Sequence, residues 1–322
     1  MSATATAPAP SGTPEATART RAVLTAADKG RHRKDRLMTV LVYGAFLLAI
    51  SPLLSLLWTV VARGAERFDL YFLSVSMRGV FGGMDAGGIY HAIAGTLVMT
   101  MWAAVISVPI GLLTAIYLVE YGRGPLARAT TFFVDVMTGI PSIVAGLFAF
   151  ALFAIFFGPG VRLGIAASVA LSVLMIPVVV RSCEEMLRLV PNELREASYA
   201  LGVPKWLTVV KVVLRTSVAG LTTGILLAVA RVIGETAPIL ITAGTADSIN
   251  FNAFEGRMMA LPVYIFSQYR QGPVPCREGV ADCISSVTLD RAWSAALALI
   301  LIVMILNLVG RLVTRLFAPK LR

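Results

Sequence analysis

The chain has 322 residues, of which 57% are hydrophobic and 14% are charged, and its mean hydropathy is +0.80. A soluble protein carries about 25% charged residues, so this composition excludes an ordinary soluble enzyme or binding domain and indicates a polytopic helical membrane protein. The formal net charge of +10 is attributed to Lys and Arg in cytoplasmic loops rather than to nucleic-acid binding.

The sequence offers no recognisable metal or nucleotide site. His32 and His91 are far apart along the chain, and the three cysteines do not have metal-ligand spacing. A phosphate-binding loop of the form G-x-x-x-x-G-K-[S/T] does not occur. We therefore predict that the chain binds no cofactor of its own and is not an enzyme.

The N-terminal segment 1–36 is predicted to be disordered. Residues 1–28 are rich in Ala, Thr and Pro and contain no apolar run that could form a core. The block Lys29–Arg36 is basic and directly precedes the first apolar run, as expected of a segment that holds the N-terminus in the cytoplasm. Residues 37–322 are predicted to form the membrane domain.

Apolar runs long enough to cross a bilayer recur along the chain, and they predict an all-α fold with six transmembrane helices. The predicted spans are 38–61, 90–118, 131–157, 164–181, 216–244 and 292–316. A tight Gly-Pro-Gly turn is predicted at 158–160. Prolines inside the runs are expected to bend or break their helices: Pro109, Pro141, Pro177 and Pro238.

The distribution of positive charge predicts the orientation in the plasma membrane. Nineteen of the 28 Lys and Arg residues fall in the two terminal segments, the short loop after the second span and the stretch from Arg181 to Arg215, whereas eight fall in the other loops, counting Arg291. Since Lys and Arg collect on the cytoplasmic side, both termini and the 182–215 loop are predicted to be cytoplasmic.

The outer loop 246–290 is consequently predicted to face the oxidising side of the membrane. A disulfide between Cys276 and Cys283 of this loop is therefore a hypothesis. The loop is either a contact for an external binding protein or a plain surface connector, and the sequence favours neither.

The polar stretch Pro191–Leu214 is predicted to form a short helix outside the bilayer. Pro191 or Asn192 can start this helix and Gly202 can end it. Val203-Pro204 then breaks the chain before a second helix that begins near Lys205. A short helix attached to a long membrane helix is suited to docking on a partner and transmitting motion.

This stretch resembles the EAA loop of type I ABC importer permeases, through Glu196, Ala197, Ser198 and Gly202. It departs from that pattern at Ser198, where the family usually has Ala, and at Arg215, where the family has Pro. The resemblance implies that the helix in 191–215 is a coupling helix, which sits in a cleft of a cytoplasmic ATPase.

Two ionised residues, Arg231 and Glu235, lie within the fifth predicted span. A charge in the membrane is costly and is therefore a functional candidate. Their spacing of four predicts that both lie on one helix face, either as an intrahelical ion pair or as a station for an anion. Guanidinium suits phosphate because its planar donors pair with two oxygens. Asp135, in the third span, could pair with Arg231 or extend to the inner surface.

Two stretches resemble the PstA family of phosphate-specific permeases: ARVIGETAPILITAG at Ala230–Gly244 and GIPSIVAGLF at Gly139–Phe148. The likeness extends over about 88–316. It implies that Arg231 and Glu235 serve phosphate passage. It also implies a PstC-like permease, a PstB-like ATPase dimer that binds ATP and Mg²⁺, and a PstS-like phosphate-binding protein as partners.

Other functions remain open at this point. A permease for sulfate or molybdate would share the architecture. An ion-coupled secondary transporter would usually show internal repeats of its spans, and none is evident. A membrane scaffold or sensor would use the polar stretch only for binding.

Overall fold

The computed structural model describes residues 29–276 and 283–317, which are mostly helical; the predicted disorder of 1–28 lies outside this range. The helices are α1 (Lys29–Gly64), α2 (Leu70–Ser74), α3 (Tyr90–Ile116), α4 (Gly124–Thr138), α5 (Ser142–Phe157), α6 (Gly164–Arg188), α7 (Asn192–Ala200), α8 (Lys205–Thr208), α9 (Leu214–Ile233), α10 (Ala237–Thr242), α11 (Leu261–Gln271) and α12 (Val287–Phe317). A π-helical segment follows α3 (Tyr117–Tyr121), and another joins α8 to α9 (Val209–Val213).

The described residues contain five continuous helical stretches that are long and apolar enough to span a membrane. The bent pair α4 and α5 adds a sixth if it is counted as one span. This multi-pass helical architecture confirms the predicted fold class. The spans are Arg33–Arg67, Tyr90–Tyr121, Gly164–Arg188, Lys205–Ile233 and Val287–Leu312, together with 124–157.

The chain divides into two compact units, one ending at Trp58 and the other beginning at Thr59. Most of α1 belongs to the first unit, and its apolar side chains are exposed on all sides, as suits contact with lipid. The helix begins at Lys29, so the basic block Lys29–Arg36 forms its first turns. The predicted boundary of disorder at residue 36 was therefore placed too late.

Helix α6 is the centre of the second unit. In the 18-residue apolar stretch of α6, 61% is buried inside the structure. The corresponding stretches of the spans that contain α3, α9 and α12 are each 22% buried. Small residues allow its neighbours to approach closely. A Cβ on Gly111 of α3 would lie 2.6 Å from a methyl of Val179, and a Cβ on Gly224 of α9 would lie 2.7 Å from the Cβ of Ser182. Helices α3 and α9 thus pack closely on α6 at these two glycines.

The third predicted span, 131–157, begins earlier in the structure, at Gly124, and is broken at Pro141, where a bend or break was predicted. The chain turns by 105° between α4 and α5. Pro141 is the N-cap of α5 and Gly139 is the C-cap of α4, so the break lies in the Gly-Ile-Pro sequence. A proline has no backbone N–H to donate and disfavours the helical conformation of the residue before it, which accounts for the break.

Three further span boundaries differ from the prediction. The fourth span continues past 181 to Arg188. The residues after 181 are polar and were predicted to form a loop, but Glu184 forms ion pairs with Arg181 and Arg188, and these pairs offset the charges within the helix. The fifth begins at Lys205 and ends at Ile233 rather than running from 216 to 244. The outer loop 246–290 contains α11, whose first residues are buried, and also the start of α12.

The outer loop carries a disulfide between Cys276 and Cys283, whose Cα atoms lie 5.8 Å apart. Cys283 and the residue after it pack on the segment before α3. Ile284 N donates to the carbonyl oxygen of Gly83 at 2.9 Å, and a Cβ on Gly83 would lie 2.5 Å from the Cys283 sulfur. The bond therefore fixes two outer segments against each other.

We expect maleimide to modify neither Cys276 nor Cys283 in the unfolded, unreduced protein, and to modify both after reduction. Cys183 is buried and free, so a Cys183→Ser background makes these two the only reactive positions. Mass spectrometry of the labelled protein checks the result. Two labelled thiols without reductant would contradict the bond.

Candidate functional site

Helix α7 forms where the sequence signals place it. Pro191 is its N-cap residue, and Gly202 follows its end with φ of +75°, a conformation that L side chains rarely adopt. Val203 N donates to Ser198 O at 3.2 Å and Gly202 N donates to Tyr199 O at 2.9 Å, the two bonds of a Schellman motif. Gly202 thus terminates α7 and turns the chain into α8.

Most of α7 is exposed. Glu196 and Ala197 are exposed, and Glu196 has no ion pair or hydrogen bond from its carboxylate within the described part of the chain. Exposed apolar side chains occur on α7 and in the segments on either side of it: Leu189, Leu194, Tyr199, Leu201 and Trp206. Exposed aromatic side chains such as Tyr199 and Trp206 are of the kind that is enriched at protein interfaces.

Ser198 is the exception on this helix, because it is buried. Its hydroxyl lies 2.8 Å from the hydroxyl of Thr208, which is also buried. The residue that departs from the EAA pattern therefore contacts α8 rather than solvent. This hydrogen bond joins α7 to the helix that continues into α9.

Two cations that the sequence reasoning did not single out also hold this region. Arg195 of α7 forms an ion pair with Glu120 at 3.0 Å, and Glu120 lies in the π-helical end of α3. Lys205 donates to the backbone carbonyl of Glu120, and its nitrogen lies 4.8 Å above the ring of Tyr121. Only a long-range contact reveals these roles, since Glu120 and Arg195 are 75 positions apart.

The structure places Arg231 and Glu235 differently from the prediction. Helix α9 ends at Ile233 with Gly234 as its C-cap, so Glu235 lies beyond the helix and the two residues do not share a helix face. Arg231 is exposed and Glu235 is partly buried. No ion pair or hydrogen bond joins their side chains, and the intrahelical ion pair is therefore not formed in this structure.

Arg231 lies well along the membrane helix. It is 16 residues after Arg215, which corresponds to about 24 Å at the rise of an α-helix. A hydrocarbon core is about 30 Å thick, so an Arg215 near the inner boundary places Arg231 in the outer half. Beside it, the chain is broken between α9 and α10, and Gly146 of α5 packs against Pro238 at the start of α10. Helix α5 thus packs on the start of α10, three residues after Glu235.

Cavities adjoin α9 on both sides of this break. One of ≈ 530 Å³ is lined by residues of α6, α9 and α12, including Gly224 and Leu227. These two precede Arg231 by seven and four positions and so lie on the same side of α9 as the guanidinium. A second cavity, of ≈ 600 Å³, is lined by Gly234 and Thr236 with residues of α11, and neither Arg231 nor Glu235 lines it.

Asp135 pairs with Arg181 of α6, not with Arg231. Arg181 also binds Glu184 at 2.8 Å, and Arg188 binds the other oxygen of Glu184 at 2.6 Å. Arg181 lies at the predicted end of the fourth span, and it was not predicted as a partner for Asp135. The pair between Asp135 and Arg181 fixes α4 to α6.

A family model for the binding-protein-dependent transport system inner membrane component matches residues 107–322. The chain is 48% identical over 283 residues to the "Phosphate transport system permease protein PstA" of Mycobacterium leprae (strain TN), covering 87% of this chain and 88% of the relative. It is 36% identical over 292 residues to the protein of the same name from Yersinia pestis, covering 90% and 92% respectively.

Solved transporters share the fold. A chain of a bacterial alginate ABC transporter, crystallised with an alginate pentasaccharide-bound periplasmic protein, matches with a TM-score of 0.60 at 11% identity, covering 89% of this chain and 96% of that one. A chain of the inward-facing MetNI methionine ABC transporter matches with a TM-score of 0.52 at 22% identity, covering 71% and 94%. These likenesses concern the fold alone.

Proposed function

The chain belongs to the family of binding-protein-dependent transport system inner membrane components, and from this premise we propose that it is the permease subunit of an ATP-driven phosphate importer. The chain covers 88% of a relative that is named as a phosphate transport permease and is 48% identical to it. This likeness is the observation that supports phosphate as the substrate. The exposed Arg231, which has no acidic partner among the described residues, supplies a suitable chemical group.

Phosphate is handled at Arg231 in this proposal. Its guanidinium carries a fixed positive charge and can donate to two phosphate oxygens at once. The helix break beside it leaves Glu235 outside the regular α9, so the carboxylate can approach or leave the guanidinium as the pathway opens. Broken membrane helices are a common setting for such sites in transporters.

Helix α7 is the coupling helix in this proposal. Its exposed Glu196 and Ala197 dock on a cytoplasmic ATPase, while Ser198 and Gly202 fix its junction with α8 and α9. ATP and Mg²⁺ bind to that ATPase dimer and not to this chain. Both termini and α7 then lie in the cytoplasm, and residues 37–322 act as the permease domain.

The remaining partners are a second, similar permease and an external phosphate-binding protein. The disulfide between Cys276 and Cys283 holds the outer segments on which such a binding protein would rest. Partner chains of these types match the PstC-like, PstB-like and PstS-like subunits that the sequence resemblance implies.

Reconstitution tests the proposal. We expect proteoliposomes that contain the complex of both permeases and the ATPase to accumulate phosphate when ATP is inside and the binding protein is outside. The purified chain alone is the control and should accumulate none. Uptake by the lone chain on an ion gradient would instead show a secondary transporter. Transport of sulfate or molybdate as fast as phosphate would overturn the substrate assignment.

A further inference from the structure

We propose that Arg195 is the positioning residue that fixes α7 to the inner end of α3, so that a displacement of α7 reaches α3 directly as well as through α8 and α9. The inference rests on the proposed coupling role of α7. It adds a second mechanical connection, made by side chains, to the one that the chain itself provides.

Arg195 uses each of its three guanidinium nitrogens. Nε and Nη2 both lie 3.0 Å from Oε1 of Glu120. Nη1 donates to the carbonyl oxygen of Val190 at 2.5 Å, and Nη2 donates to that of Leu187 at 3.1 Å. Leu187 lies in the last turn of α6, and Val190 follows the end of that helix. One side chain therefore joins α7, α6 and α3.

The ion pair is shielded from solvent. The side chains of Arg195 and Glu120 are 12% and 5% exposed. A surface ion pair contributes little, but loss of one partner of a buried pair leaves an uncompensated charge and is strongly destabilising. By contrast, Arg188 forms its pair with Glu184 within one helix, and its side chain is 67% exposed. Both contacts are Arg–Glu ion pairs, but the Arg188–Glu184 pair lies within one helix whereas the Arg195–Glu120 pair joins two distant segments of the chain.

The end of α3 has no short covalent route to α7. The chain passes through α4, α5 and α6 between them, and the Arg195–Glu120 contact spans 75 positions. Lys205, just after α7, holds the backbone carbonyl of the same Glu120. Two cations on either side of the Gly202 turn thus hold one residue at the inner end of α3. A movement of α7 that keeps these contacts must carry that end with it.

Loss of the guanidinium is the first test. We expect Arg195→Gln to lower phosphate uptake per ATP hydrolysed by about tenfold, a typical size for a coupling between sites. Arg195→Lys keeps the charge but not the three-way hydrogen bonding, and should give an intermediate ratio. Arg188→Gln is the matched control and should keep the wild-type ratio. The measurement is uptake and ATP hydrolysis by the same reconstituted complexes, with permease content determined by quantitative blotting.

A cross-link provides the second test and a readout that a loss of stability alone would not give. In a Cys183→Ser background that retains the outer disulfide, Glu120→Cys with Arg195→Cys removes the ion pair. We expect uptake to be low until a short bifunctional maleimide joins the two thiols, and then to recover.

A wild-type transport ratio for Arg195→Gln would overturn the inference, and so would cross-linked protein that stays inactive. The wild-type complex in the same assay separates this from the proposed function: if it fails to couple phosphate uptake to ATP, the importer assignment is at fault instead.

Discussion

Gly202→Val is expected to reduce ATP-dependent phosphate uptake to background while the chain remains inserted in the membrane. Gly202 has φ of +75°, and a β-branched residue is rarely found in that conformation. The left-handed conformation costs an L residue about 1–2 kcal/mol, which the Schellman motif would have to absorb. The turn would rearrange, and α7 would lose its fixed orientation to α8.

The companion variant Gly202→Asn separates the backbone effect from a loss of space. Nothing lies within 4 Å of a Cβ built on Gly202, so a side chain fits at this position. Asn tolerates positive φ and should retain most of the uptake. Uptake assays with equal amounts of inserted permease check both variants. Normal uptake by Gly202→Val would mean that the orientation of α7 does not matter for coupling.

Arg231→Ala is expected to lower phosphate uptake by about tenfold to a hundredfold, the range for loss of a hydrogen-bonded charge. The guanidinium is exposed within the membrane helix and has no acidic partner among the described residues, so its removal leaves no carboxylate unpaired. The fold should therefore be preserved. Arg231→Lys retains the charge without paired donors and should transport at an intermediate rate.

Arg215→Ala is the control for this second prediction. Arg215 is exposed on the same helix, about 24 Å from Arg231, at its cytoplasmic end in the proposed orientation. It should keep phosphate uptake near the wild-type rate. The measurement is the initial rate of labelled phosphate uptake by Arg231→Ala and by Arg215→Ala, with ATP hydrolysis measured in parallel. Wild-type transport by Arg231→Ala would mean that this arginine has a structural role only.

Local signals in the sequence predicted the local structure well. Pro191 and Gly202 delimit α7, and Pro204 precedes α8, because these residues act through their own backbone restrictions. The same reasoning pointed to Pro141 as a place where a helix bends or breaks. What it missed was the size of the turn, since a bend of 105° depends on how α4 and α5 pack on other helices.

Contacts between distant parts of the chain could not be predicted in this way. The partner of Asp135 is Arg181, which lies at the end of a different predicted span, and nothing in the local sequence indicates that these two residues meet. The pairing of Glu120 with Arg195 depends on two helix ends meeting in three dimensions. Likewise, Arg231 and Glu235 have the spacing of a helical pair, but Gly234 ends the helix between them. Residue spacing predicts a contact only where the secondary structure continues.

The two π-helical segments have a consequence for insertions and deletions in this family. A π turn contains one residue more than the α-helical turn that it replaces, so removal of a residue from Val209–Val213 could restore a regular helix. It would also rotate everything before that point by about 100° relative to α9. Arg195 and Lys205, which precede the deletion, would then move away from Glu120, which lies at the end of another helix. Chain length in this short segment is thus as constrained as residue identity, and a single-codon deletion there would be more damaging than most substitutions.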